Sequence, residues 1–84
     1  MSRHTVQGTP GTILVVGYDR PTDEFFAQSW DEKENEVIDV HYDIDLDELE
    51  ALIPEVPPGL REQLLKEAAG NTNTNTIKDW RNDP

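Results

Sequence analysis

The chain has 84 residues and a mass of 9.6 kDa, with 18 Asp or Glu against 7 Lys or Arg, a formal charge of -11 and a mean hydropathy of -0.72. Such a surplus of acid argues against direct binding to nucleic acid or to an anionic membrane, because both need a positive patch to displace counterions. With no cysteine there is no disulfide framework, no thiol nucleophile and no cysteine-ligated metal centre.

Leu, Ile, Val and Phe together make 20 of the 84 residues, just above the roughly one-fifth below which a highly charged chain fails to fold. Nearly all of them lie between Ile13 and Leu65, so the expectation is a folded body with loose ends. A core of this size supplies only about 3–5 kcal/mol, and a partner or a second copy of the chain, as a homodimer, is one source of the remainder.

Residues 1–11 mix polar groups with Gly8, Pro10 and Gly11 and show neither helical nor strand periodicity, which predicts a flexible arm. Thr12 to Tyr18 is β-branched and apolar on both alternating faces, the pattern of a strand covered on two sides. Pro21 suits the second position of a type I turn. Glu24 to Trp30 reads either as a strand or as a short helix capped by Thr22. The strand is preferred, since the apolar residues span about one and a half helical turns before the acidic run at 31–36, which becomes a hairpin loop. Glu36 to Tyr42 alternates as a half-buried strand, with Ile38, Val40 and Tyr42 on one face and Val37, Asp39 and His41 on the other.

Asp45 stands three residues before Glu48, the reciprocal spacing of a capping box, with Ile44 and Leu49 at the staple positions. A helix therefore starts at Leu46, carries Leu46, Leu49, Leu52 and Ile53 on one stripe and stops before Pro54. A second helix covers Leu60 to Ala69, with Leu60, Leu64, Leu65 and Ala68 on one face and Gly70 ending it. The tail from Asn71 to Pro84 reads as disordered or loosely docked, apart from Ile77 and Trp80, an apolar pair that docks on the domain or on something else. The predicted fold is thus α+β: a three-stranded, mainly antiparallel sheet followed by two short helices, β-β-β-α-α, in one domain over 12–70, with a flexible arm and tail.

The longest apolar run, Ile13 to Val16, is far below the roughly 20 residues of a membrane helix, and the N-terminus has no signal-peptide core. The expectation is a soluble, untargeted, cytoplasmic protein with no membrane partner. Asp43, Asp45 and Asp47 have the spacing that opens a calcium loop, but Glu48 stands where the loop needs Gly and Pro54 where it needs a bidentate Glu. His41 beside Asp39 and Asp43 reads as a solvated face, His4 lies in the arm, and no cofactor or metal site is expected. The glycines at 8 and 11 lack the lysine and spacing of a phosphate loop, and neither serine has a histidine and acid in attendance, so no catalytic residue is assigned. Arg20 is expected in an ion pair with nearby carboxylates.

Charge distribution carries most of the functional information. From Asp19 to Glu55 there are 14 acids and 2 bases; elsewhere there are 4 acids and 5 bases. This concentration exceeds what solubility requires and predicts a face for a basic surface of a partner protein, such as that of a nucleic-acid-binding protein. The acids expected to bind are Asp31, Glu32, Glu34, Glu36, Asp39, Asp43, Asp47 and Glu50, with Trp30 and Trp80 as anchors. The functional expectation is a non-enzymatic acidic interaction module of inhibitor, immunity or nucleic-acid-mimic type. The alternatives are a divalent-cation module built on Asp39, His41, Asp43, Asp45 and Asp47, and a dimeric accessory protein whose charge only confers solubility.

Overall fold

The computed structural model describes residues 2–70 and 76–82. Five strands form one mixed sheet: β1 (Arg3–Gln7), β2 (Thr12–Asp19), β3 (Glu24–Asp31), β4 (Glu36–Ile44) and β5 (Ile77–Asp79), in the spatial order β4-β3-β2-β1-β5. Neighbours are antiparallel except β1 and β5, which run parallel. Two helices, α1 (Leu46–Ala51) and α2 (Leu60–Ala69), lie between β4 and β5 in the chain, and a 3-10 turn at Trp80–Asn82 follows β5. This overturns the expected three-stranded antiparallel sheet with a flexible arm and tail. Residues 3–7 form an inner strand and 77–79 an edge strand, while Asn71 to Asn75 lie outside the described residues.

Each middle element follows from its sequence. Consecutive burial from Leu14 to Tyr18 bears out the reading of β2 as covered on both sides. Glu24 to Asp31 is a strand rather than a helix, because full pairing with both β2 and β4 satisfies its backbone, which an isolated short helix could not do. The capping of α1 is as expected: Asp45 is extended, and its side chain accepts from the Glu48 N–H at 2.8 Å. Helix α2 ends at Gly70, whose φ of 79° is the left-handed conformation that lets its N–H reach back to the Glu67 and Lys66 carbonyls. Arg20 reinforces that end by donating to the Glu67 carbonyl at 2.6 Å, in place of the expected pair with a carboxylate.

The core lies between one face of the sheet and both helices. Val6, Leu14, Val16 and Ala27 from β1, β2 and β3 meet Leu46, Leu49, Ile53, Leu60 and Leu64. Leu65, placed on the inner stripe by its spacing, is half exposed, whereas Glu67 is fully buried. Pairing register puts Val15, Phe26, Gln28 and Trp30 on the opposite face. Gly17 on that face touches the start of the chain: a Cβ there would lie 2.2 Å from the Ser2 carbonyl oxygen. The contact is held by hydrogen bonds from the Ser2 N–H to the Tyr18 carbonyl, 3.1 Å, and from the Tyr18 N–H to Ser2 Oγ, 2.9 Å.

Strand β4 departs from simple alternation. Its register against β3 shifts twice, leaving Ile38 and Asp43 as the extra residues. Val37, Val40 and Tyr42 therefore stand opposite Trp30, Gln28 and Phe26, while Asp39 and His41 stand opposite Ser29 and Ala27 on the helix-bearing face. The expected grouping of Ile38 with Val40 and Tyr42 is broken by the first bulge, and the strand is exposed along most of its length rather than half buried.

Candidate functional site

Most of the acidic block falls on three consecutive elements of the chain. The β3–β4 hairpin, edge strand β4 and helix α1 are consecutive in the chain, and from Asp31 to Glu50 they carry ten acids against the single base Lys33. The expected binding residues divide by what their side chains already do. Asp31 is structural: its Oδ1 accepts from the Lys33 and Glu34 N–H groups at 2.9 Å each, which holds the hairpin turn. Asp47 and Glu50 both take hydrogen bonds from the Arg61 guanidinium, the Asp47 contact being 3.2 Å. These two bonds, first that to Glu50, raise the Arg61 pKa, so the local charge of α1 is partly cancelled at any ordinary pH. Glu32 lies 3.8 Å from Arg81.

Glu34, Glu36 and Asp43 are exposed, and none forms an ion pair among the described residues. Asp43 projects from the second bulge, with a φ of 53°. Asp39 is exposed and sits 3.2 Å from His41 Nε2. The edge thus keeps net negative charge at both ends of β4 and in its middle.

The two proposed anchors part company. Trp30 is half buried, paired with Ile13 on β2 and Val37 on β4, and its indole N–H donates to Gln28 Oε1 at 3.3 Å. It borders the acidic edge. Trp80 follows β5 at the opposite edge of the sheet, packs against the core and donates its indole N–H to His4 Nδ1 at 3.0 Å. The tail aromatic therefore docks onto its own domain, at the edge of the sheet opposite β4. Among the described residues no group of three or more His, Asp or Glu converges to hold a metal ion. Asp39 and His41 meet, but Asp43 is turned aside by its bulge and the Asp45 carboxylate is engaged with the α1 N-terminus.

A second polar cluster was not visible in the sequence. His4 and Glu67 are both fully buried, with Nε2 and Oε2 2.9 Å apart. An indole N–H only donates, so the His4 Nδ1 that receives Trp80 is unprotonated and Nε2 carries the hydrogen donated to Glu67. Gln63 donates to the same carboxylate oxygen at 2.9 Å, whereas Oε1 is buried without a partner among the described residues. The cluster joins β1, α2 and the segment after β5. With both ionisable groups buried, it fastens these three parts of the chain together. Its one sequence signal was spacing: Glu67 follows Leu60 and Leu64 at the seventh and third positions, on the inner stripe of α2.

A cleft of about 370 Å³ opens beside Trp80, between Gln7 on β1 and the rigid Pro57–Pro58 connector, with Glu55 and Arg81 as its ionisable groups. Arg81 is held there by a two-point contact with Asp79, 2.9 and 2.7 Å, which lowers the Asp79 pKa and raises its own. The chain matches no family model, no curated protein and no solved structure. No helix among the described residues is long and apolar enough to cross a membrane.

Proposed function

We propose that this protein is a non-enzymatic interaction module whose acidic edge engages a basic surface of a partner protein. The observation supporting the reading is the placement of Glu34, Glu36, Asp39 and Asp43 along an exposed edge strand and its hairpin, none of them paired with Arg61, the cation that meets Asp47 and Glu50 of α1. Unneutralised carboxylates in a row steer a cationic partner to the edge and set its orientation, while like-charged competitors are repelled. Rows of carboxylates also stand in for phosphates, so a nucleic-acid-binding protein is the partner class that such an edge would occupy as an inhibitor or immunity factor.

The test is affinity capture from lysate at low salt, repeated near 1 M salt, where the Debye length falls to about 3 Å. A specific partner with a basic surface, retained at low salt and released at high salt, is the expected result. Absence of any partner at low salt, or a partner held equally at both salt concentrations, contradicts the reading.

A further inference from the structure

Strand β4 exposes an open sheet edge. Among the described residues it pairs only with β3, so the backbone groups on its outer side have no strand beside them. Between its two bulges the residues Asp39, Val40, His41 and Tyr42 keep a regular register with Ser29, Gln28, Ala27 and Phe26, leaving a short straight stretch fit to template another strand. Apolar surface gathers here too: Val37, Ile38, Val40 and Tyr42 are 47%, 57%, 38% and 59% exposed. Open edges are commonly guarded by charged side chains, above all lysine, by proline or by bulges; the charged residues of β4 are all acidic, which deters an acidic strand but not a basic one. β4 has neither lysine nor proline, and between its bulges the Val40 N–H is engaged only by the neighbouring Asp39 Oδ1, at 2.9 Å, a local contact that an added strand would replace.

Charge decides which strand fits. Two copies paired edge to edge would set two acidic strips side by side, each with ten acids and one lysine between residues 31 and 50, an arrangement that like-charge repulsion opposes. A cationic segment meets attraction along the whole edge. Alternation narrows the choice further. On one face the edge offers Val40 and Tyr42, on the other Asp39 and His41, with Glu36 and Asp43 towards the two ends.

Resting on the acidic-edge reading above, we propose that β4 is a strand-addition site. An extended segment of the partner, with apolar and basic side chains alternating, pairs with Asp39 to Tyr42 as a sixth strand. Its apolar side chains lie on Val40 and Tyr42 and its basic ones towards Asp39. Main-chain hydrogen bonds supply affinity and the alternating faces supply specificity, as in other strand-addition complexes.

The probe is a capped synthetic octapeptide alternating lysine and valine, added at low salt to the full isotope-labelled chain. Two controls accompany it: the same peptide N-methylated at its two central residues, whose N–H groups point to opposite edges, and a peptide alternating glutamate and valine. The expected result is saturable binding with slowed amide exchange confined to Val37–Ile44, at least ten-fold weaker binding of the N-methylated peptide, and none of the glutamate peptide. Equal binding of the N-methylated peptide, or exchange in β4 left unchanged, overturns strand addition while the acidic-edge reading stands. If the lysine peptide binds no better than the glutamate peptide, the acidic-edge reading falls with it. Self-association of the chain through β4, seen by sedimentation and abolished by Tyr42→Lys, would make the occupant a second copy and overturn the proposal.

Discussion

Replacing Glu67 tests the buried fastening that ties both ends of the chain to α2. Its Oε2 is the acceptor for His4 Nε2–H and for the Gln63 amide, both at 2.9 Å, in a site from which solvent is excluded. Glu67→Ala leaves those donors unmatched and opens a cavity among Leu60, Leu64 and β1, a combination that costs about 3–5 kcal/mol. A domain of this size has about that much stability in total, and each kcal/mol moves its melting point by about 4–8 °C. The variant is therefore expected to melt at least about 12 °C lower, or to be unfolded at room temperature. Glu67→Gln keeps an acceptor for His4 and removes a carboxylate that no cation faces in the cluster, so its stability is expected within about 1 kcal/mol of the parent. Thermal and urea denaturation followed by circular dichroism measure both, and the nitrogen chemical shifts of His4 show which ring nitrogen bears the hydrogen. If the Gln variant is as damaged as the Ala variant, or if Nδ1 proves protonated, the account of a neutral histidine bridging Trp80 and Glu67 is wrong.

Further outcomes follow from other contacts. Gly17→Ala forces a Cβ to within 2.2 Å of the backbone oxygen of Ser2, a residue fixed by hydrogen bonds through its own N–H and Oγ, and a loss of about 1–3 kcal/mol in urea melts is expected; an unchanged midpoint would show that the chain start does not lie there. Asp45→Ala removes the α1 cap and should cost about 1 kcal/mol by the same assay. Tyr18 donates its hydroxyl to Asp23, and that bond, burial and the nearby negative charge raise its pKa above 10.0. Its neutral form is favoured by the fold, so the stabilisation is complete below pH about 10 and is lost as pH rises through the raised value. An absorbance titration should show a tyrosine ionising later than the free side chain and absent in Tyr18→Phe, and ionisation at the ordinary pH would contradict the contact.

The legible parts of the fold were those decided locally. The apolar run of β2, the Asp45 cap and the Gly70 stop each act within a few residues, and each stands where its pattern put it. β1 was not legible because Arg3, His4 and Thr5 lack an apolar period of their own and become strand residues only through their partners: β2 across the short hairpin at 8–11, and, remote in the chain, β5 on the other side with Glu67 and Trp80 to satisfy the imidazole. Three-residue β5 has the same origin, since pairing parallel to β1 supplies what its own length cannot. The bulge at Ile38 moved Val37 to the face of Val40 and Tyr42, a change that period-two counting cannot anticipate. Charge counting pointed to the candidate edge but could not tell engaged acids from exposed ones. Asp31 holds a turn and Asp47 and Glu50 meet Arg61, while Glu34, Glu36 and Asp43 remain exposed.

The central claim is that the exposed carboxylates of the hairpin and β4 are the binding face. The most direct measurement is the affinity of a captured partner for the triple variant Glu34→Lys, Glu36→Lys and Asp43→Lys, set against a control with Glu55→Lys and Glu62→Lys away from that edge. The account predicts that the edge variant, folded as judged by circular dichroism, loses at least ten-fold in affinity while the control stays near the parent. Equal affinity for the edge variant and the parent would contradict it.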